Sequence, residues 1–443
     1  MDGLWAGAGE ADTTPALGTD LGGYFTSRLA DRYERRLAAK ALALRCDGVT
    51  LLLVSCDILM MRAVDIVDRA KQLITERTGV PASRVMVSAT HTHSGPATVV
   101  RTGGPSVDPA YLERVSEAIA TAAAVAVTTL RPARIGIGQA PVTGVCFNRR
   151  YRRTDGLVEF NPGRGRDDLV GPAGPVDPTV TGLLVEERDG TPLAFWSNLS
   201  LHYVNAGAST AISADYFGAF ADRIAALVGH RLHAQLTNGC SGDINNVDLE
   251  SRVPDEGVAR AELVATAVAG AAAAGTMMST RHTALPLSSR LEMVELERVP
   301  VTAEDLRIAD EVLAGTRPDA AFSYVQGMAI PEQLAPHYAA RLRALADLPE
   351  RAAVPVMVMT IGDLCVVGLP GEIFVEHGLA IRDASPHPMT AVVGLANDHV
   401  GYVPTGRACA DGGYETWRDS VSWTAPGSGE RMVERVLSMM GGR

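Results

Sequence analysis

The chain has 443 residues, 47% hydrophobic and 21% charged, with a formal net charge of −11. That balance belongs to a soluble protein with a sizeable core. Acidic charge without a block argues against a nucleic-acid or anionic-membrane partner, no uninterrupted apolar stretch reaches the length of a bilayer span, and 5% aromatic residues weaken any lectin-like or stacking role.

Trp5 to Pro15 reads as a short strand ending in a turn, and Gly22-Gly23-Tyr24 as a flexible turn. Leu37–Arg45 leads through Asp47-Gly48 into the apolar run Thr50–Cys56, which predicts a hairpin. Ala63–Thr78 carries Val64, Val67, Ala70 and Ile74 at helical spacing, and Gly79 stops it. Val85-Met86-Val87 is a strand, and Asp108-Pro109 opens a helix to about Thr128. A strand at Arg134–Val142 precedes a stretch from Thr143 to Asp177 rich in Gly, Arg, Asp and Pro. A structureless loop of that length is uncommon unless it is functional. Thr179–Glu187 and Pro192–Ser197 form a second hairpin about Asp189-Gly190. A helix from Ser213-Ala214-Asp215 to Val228, a strand at His233–Thr237 and an alanine-rich helix at Ala259–Ala274 follow. Strands are expected in Thr283–Val299, and helices at 302–314 and 331–345 about a loop. A hairpin turns at Gly362-Asp363, Gly371–Arg382 is helical, Met389–Leu395 is a strand and Arg431–Met440 is helical.

Hairpins mixed with β–α alternation predict an α/β protein of mixed, packed β-sheets flanked by helices. The length allows two to three domains. No repeat, linker or clean boundary appears, so one domain is expected over 1–443. Cys46, Cys56, Cys146, Cys240, Cys365 and Cys409 are scattered, which suits free thiols in a reducing compartment. Met1-Asp2-Gly3-Leu4 has neither a basic region nor an apolar core, so no signal peptide is read and the cytoplasm is expected.

The chemistry centres on Val87-Ser88-Ala89-Thr90-His91-Thr92-His93-Ser94-Gly95-Pro96. On a strand, positions i and i+2 share a face, so two imidazoles would stand side by side at a strand end. Neutral imidazole serves both as zinc ligand and as acid/base group. Zinc needs three or four ligands from different elements. Further candidates are His202, ending an apolar strand, and Glu372, at the expected first turn of a helix, where a carboxylate is favoured electrostatically. Each also has a plain structural reading: a core histidine satisfied by backbone, and an N-terminal helix charge. Gly239-Cys240-Ser241-Gly242-Asp243 superficially matches a nucleophile elbow, but Asp243 stands where a small residue is needed. A glycine turn whose Asp and Asn bind backbone or line a pocket is the better account.

With these landmarks the chain resembles the catalytic domain of neutral/alkaline ceramidases, zinc amidohydrolases that split N-acylsphingosine. The resemblance runs over nearly the whole chain: Ala6–Pro15, Ser88–Pro96, Asn148-Arg149, the His202 segment with Ile212–Asp215, Asn238–Asp243, Pro370-Gly371-Glu372, Gly394–Asn397, and Gly401-Tyr402-Val403. It implies a Zn2+ ion held by His91, His202, Glu372 and Tyr402, with His93 as acid/base group. It also implies Tyr414 near the reacting carbonyl and Arg149 near the site. Three departures stand out. Asn245 replaces the family's serine in a Gly-Asp-x-Ser-Pro-Asn turn, which excludes that serine as nucleophile here. The chain ends soon after the catalytic landmarks, without the C-terminal β-domain of larger ceramidases, and it carries no export signal. The expected activity is zinc-dependent hydrolysis of an N-acyl bond by metal-activated water, on a small-molecule substrate more soluble than ceramide. The alternatives are an ester or lactone hydrolase, or a non-catalytic pocket protein of the same descent.

Overall fold

The structure, a computed structural model, describes residues 3–101, 104–204, 209–251, 257–318 and 330–441. Two β-sheets pack face to face and helices cover their outer surfaces, as the mixture of hairpins and β–α units predicts. The larger sheet runs in the order His233–Asn238, Pro192–Leu199, Thr179–Glu187, Arg131–Pro141, Trp5–Asp12, Ala38–Cys46, Val49–Cys56, Val85–Ala89. The smaller runs Leu287–Glu297, Arg351–Ile361, Leu364–Gly368, Met389–Val393. Both mix antiparallel hairpins with parallel pairs; Val49–Cys56 lies parallel to Val85–Ala89, and Pro192–Leu199 to His233–Asn238.

Local chemistry explains the pattern. Asp47 and Gly48 take φ of 48° and 74°, a left-handed pair whose twist suits a two-residue hairpin. In Ala38–Cys46, side chains alternate: Leu42 and Leu44 meet Met357, Met359 and Val366 of the smaller sheet. Ala39, Ala41 and Ala43 face the other way, beneath the helices Asp68–Thr78 and Pro109–Thr128. Small residues let the second helix come close. A Cβ on Gly7 or Gly9 would lie 2.2 Å from a carbonyl oxygen of that helix. The helices Asp215–Val228 and Gly257–Met277 cover the other half of the larger sheet, and Val375–Ala384 and Ser428–Met439 cover the smaller. Gly257–Met277 is the one helix among the described residues long and apolar enough to cross a membrane. It is packed against Asp215–Val228 and the larger sheet, with Val264, Ala265, Val268 and Ala269 fully buried.

Two expectations need correction, and a third lies mostly outside the described residues. Residues 143–177 are not a structureless loop: Arg150–Arg153, Val158–Phe160 and Leu169–Pro172 make a small sheet, and Phe147–Asn148 pairs with Ile244–Asn245. Glu372 is not in a helical turn; it lies on the two-residue strand Glu372–Ile373, and the helix begins at Val375. The loop expected between the helices at 302–314 and 331–345 falls mostly on 319–329, outside the described residues.

Candidate metal centre

The chain passes the same place each time it leaves a parallel strand. Thr90–Pro96 follows Val85–Ala89, His202 follows Pro192–Leu199, and the turn from Gly239 follows His233–Asn238. Glu372 follows Leu364–Gly368, and Leu395–Asn397 follows Met389–Val393. These carboxyl ends, where α/β sheets gather ligands, are knitted by backbone hydrogen bonds. Ala89 N donates to Leu395 O (3.1 Å), Gly394 N to Asn238 O (3.0 Å), Gly239 N to Leu199 O (2.8 Å) and Gly242 N to Ile373 O (2.8 Å).

His91 and His93 lie beyond the strand end at Ala89, so the strand rule is not what brings them together. His91 takes φ of 70°, and its backbone N–H donates to Ile58 O at 3.0 Å. Its Nδ1 is 2.6 Å from Leu59 O. A carbonyl only accepts, so Nδ1 carries the proton and Nε2 keeps its lone pair for the site. Between the histidines, the Thr92 hydroxyl is buried against Ser213 O (2.7 Å) and Asp215 Oδ2 (2.6 Å). The two rings end 5.1 Å apart.

Glu372 pairs with Tyr402 in parallel register, which puts both side chains on one face. Glu372 Oε2 is 3.3 Å from His91 Nε2 and 3.9 Å from His202 Nδ1, and no donor satisfies it although it is buried. Donors on a tetrahedral zinc at ~2.0–2.1 Å stand about 3.3 Å apart, the spacing of the unpartnered Glu372 Oε2 from His91 Nε2; His202 presents Nδ1 to Arg149 and Nε2 to His93, and would join an ion there by giving up one of these contacts. Burial alone would raise the Glu372 carboxyl, but His91, His399 and Arg149 overcome it and hold the group below the usual range. Burial, reinforced by His91 and Arg149, keeps His202 uncharged.

A second set of donors shares two of these residues. The nitrogens of His91, His93 and His202 all lie within 4.8 Å of one another, and His93 Nε2 is 2.8 Å from His202 Nε2.

Arg149 is buried beneath the centre. Its Nε donates to Glu415 Oε1 and its Nη1 lies on His202 Nδ1, each at 2.8 Å, with the guanidinium 5.2 Å over the Tyr402 ring. Arg150 takes the other oxygen of Glu415 at 2.9 Å. Sequence reasoning missed Glu415, although it adjoins Tyr414, and it missed His399. The His399 ring is buried, neither nitrogen has a partner, and Nε2 stands 4.0 Å from Glu372 Oε1. No local signal marks either residue, because both act across distant parts of the chain.

The Cys240–Asn245 turn supplies no reactive group. Asp243 accepts from Val375 N (2.8 Å) and Asn148 Nδ2 (2.9 Å), and Asn245 donates to Asn161 Oδ1 (3.0 Å) and accepts from Val247 N (3.0 Å). Burial pushes the Cys240 thiol far up, which leaves it protonated and inert.

Above the centre opens a pocket of about 730 Å³ whose walls include His93, Arg149, His202, Tyr402 and Tyr414. Tyr24, Phe25, Phe160, Tyr402, Tyr414 and Trp417 all line it, in a chain with 8 Phe, 10 Tyr and 4 Trp. Six of the chain's few aromatic residues thus share one pocket. Tyr414 is their hub, with Phe160 at 5.0 Å, Trp417 at 5.4 Å and Tyr402 at 5.6 Å.

No protein-family model and no curated protein matches the chain. Among solved structures, the neutral ceramidase of Pseudomonas aeruginosa matches with a TM-score of 0.73 and 18% identity, over 99% of this chain and 74% of that one. A ceramidase complexed with C2 matches with a TM-score of 0.75 and 19% identity, over 99% and 75%. Identity this low speaks to architecture, and the architecture is plain: the chain has a neutral-ceramidase-like fold over almost its whole length.

Proposed function

We propose that the protein is a zinc-dependent amidohydrolase that cleaves an N-acyl bond. The observation that carries this reading is the buried, unpartnered Glu372 Oε2 between His91 and His202, at the foot of an aromatic pocket. His91, His202 and Glu372 would hold the ion, with Tyr402 placed beside Glu372 by strand register. Zinc bound there supplies Lewis acidity, lowering the pKa of a water and polarising the acyl carbonyl.

His93 borders the pocket with its Nδ1 unpartnered, placed to accept a proton and pass it to the leaving nitrogen. The Tyr414 hydroxyl donates toward the charge that develops on the carbonyl oxygen. Arg149, fixed by Glu415, orients His202. The net charge of −11 opposes docking on an anionic bilayer. That supports a substrate taken from water, smaller than ceramide.

The test is the zinc content of purified protein, paired with amine release from a panel of short-chain N-acyl amines, esters, lactones and micellar ceramide. Zinc near one per chain with amine release is expected. Absence of bound zinc after reconstitution overturns the reading. Turnover of esters or lactones alone moves the activity to that class, and a strong preference for ceramide overturns the soluble substrate.

A further inference from the structure

The two histidines of the turn are fixed by different means. His91 is held through Nδ1 by the Leu59 carbonyl, whereas His93 Nδ1 is buried without any hydrogen-bond partner. Apart from the 2.8 Å contact of its Nε2 with His202 Nε2, His93 is kept in place by the segment 20–29, from three directions. Gly23, at φ of 94°, lies flat on the ring; a Cβ there would come within 2.6 Å of His93 Cγ and 2.7 Å of Nδ1. Tyr24 meets the ring edge-on with centroids 5.6 Å apart. Arg28 is buried, and its Nη2 donates to the carbonyl oxygens of His93 (2.8 Å) and Gly22, while Nη1 donates to Ser209 O (2.6 Å). Its guanidinium stacks 4.2 Å over the Tyr24 ring. The segment is itself tied to the histidine turn, since Gly22 N donates to Gly95 O at 2.9 Å.

We propose that Arg28 and Gly23 form a clamp that sets the position of His93 while leaving its ring nitrogens unengaged by the clamp, with Arg28 as a positioning residue. The proposal rests on the hydrolase reading for its consequence in rate, though not for its geometry. A guanidinium suits the task because its planar fork reaches several carbonyls at once; a lysine ammonium is a single point of charge.

The experiment compares wild type, Arg28→Ala, Arg28→Lys and Gly23→Ala in zinc content, kcat and KM, and in the imidazole 1H–15N spectrum of protein labelled at histidine. A small displacement of a proton carrier costs on the order of 10- to 100-fold in rate. Arg28→Ala is expected to keep zinc, lose that much in kcat with KM little changed, and move the His93 resonances; Arg28→Lys should recover part of the loss. Gly23→Ala should give the same result with Arg28 intact, and carries the test if Arg28→Ala does not fold. Unmoved His93 resonances, or unchanged kcat, in a folded variant overturn the clamp. So does zinc loss in step with rate, which would make the segment a general support of the metal site. A wild type that neither binds zinc nor turns over sinks the hydrolase reading, while the spectra still judge the clamp.

Discussion

Two turns leave parallel strands, Thr90–Pro96 after Val85–Ala89 and Gly239–Asn245 after His233–Asn238. Both are buried and both are rich in groups that chemistry could use. In the second, Asp243 and Asn245 are occupied in holding Val375, Asn148, Asn161 and Val247. In the first, backbone and neighbouring carbonyls do the holding, His93 borders the pocket, and the imidazoles face one another. Residue type alone therefore does not mark a reactive turn. What marks it is that the polar side chains are left with something to do.

The sharpest way to break this contrast is at the first turn. His91→Ala or His202→Ala should abolish zinc binding and turnover together, measured as metal per chain and amine release. Full zinc in both variants would mean that the ligands lie elsewhere. His93→Ala should keep zinc and lose roughly 100- to 10,000-fold in rate; loss of zinc instead would place His93 among the ligands, in the set it forms with His91 and His202.

The second turn should answer in stability. Asp243→Ala removes the acceptor of a buried backbone N–H and of the Asn148 amide, at about 1–3 kcal/mol for each donor left without a partner. A clear fall in Tm with zinc retained is expected. Burial, against the opposing pull of Val375 N–H, Arg150 and Asn148, pushes the Asp243 carboxyl from 3.8 up to about 6. A carboxyl whose folded pKa exceeds its unfolded one loses stability as pH rises between the two values. Wild-type Tm should therefore carry a falling contribution between about pH 4 and 6 that Asp243→Asn lacks, and identical profiles would refute it. Smallest of all, Cys240→Ala should leave kcat within about twofold, because a thiol held protonated is no nucleophile.

The contrast also explains what could be read from the chain beforehand. The hairpins were legible because apolar runs flank turn residues that accept left-handed backbone, as at Asp47-Gly48. The helix Pro109–Thr128 was legible because Asp108 caps it, accepting from Ala110 N at 2.9 Å. The strands between Phe147 and Pro172 were not, since runs of two to four residues carry too little alternation to register. At the centre, His91, His93, His202 and Glu372 were singled out by type and position, and the structure brings them together. Glu415, His399 and Arg28 escaped because the contacts that tie them to the centre span at least 27 residues.

The pairing of Glu372 with Tyr402 has a bearing on how the chain tolerates changes of length. Two residues of ladder are all that align these side chains, and one step of slippage turns a strand residue to the opposite face. The connection between Val393 and Tyr402 should not tolerate a change of length. A single added residue there would carry the phenol away from the carboxylate while leaving every ligand-type residue in the sequence.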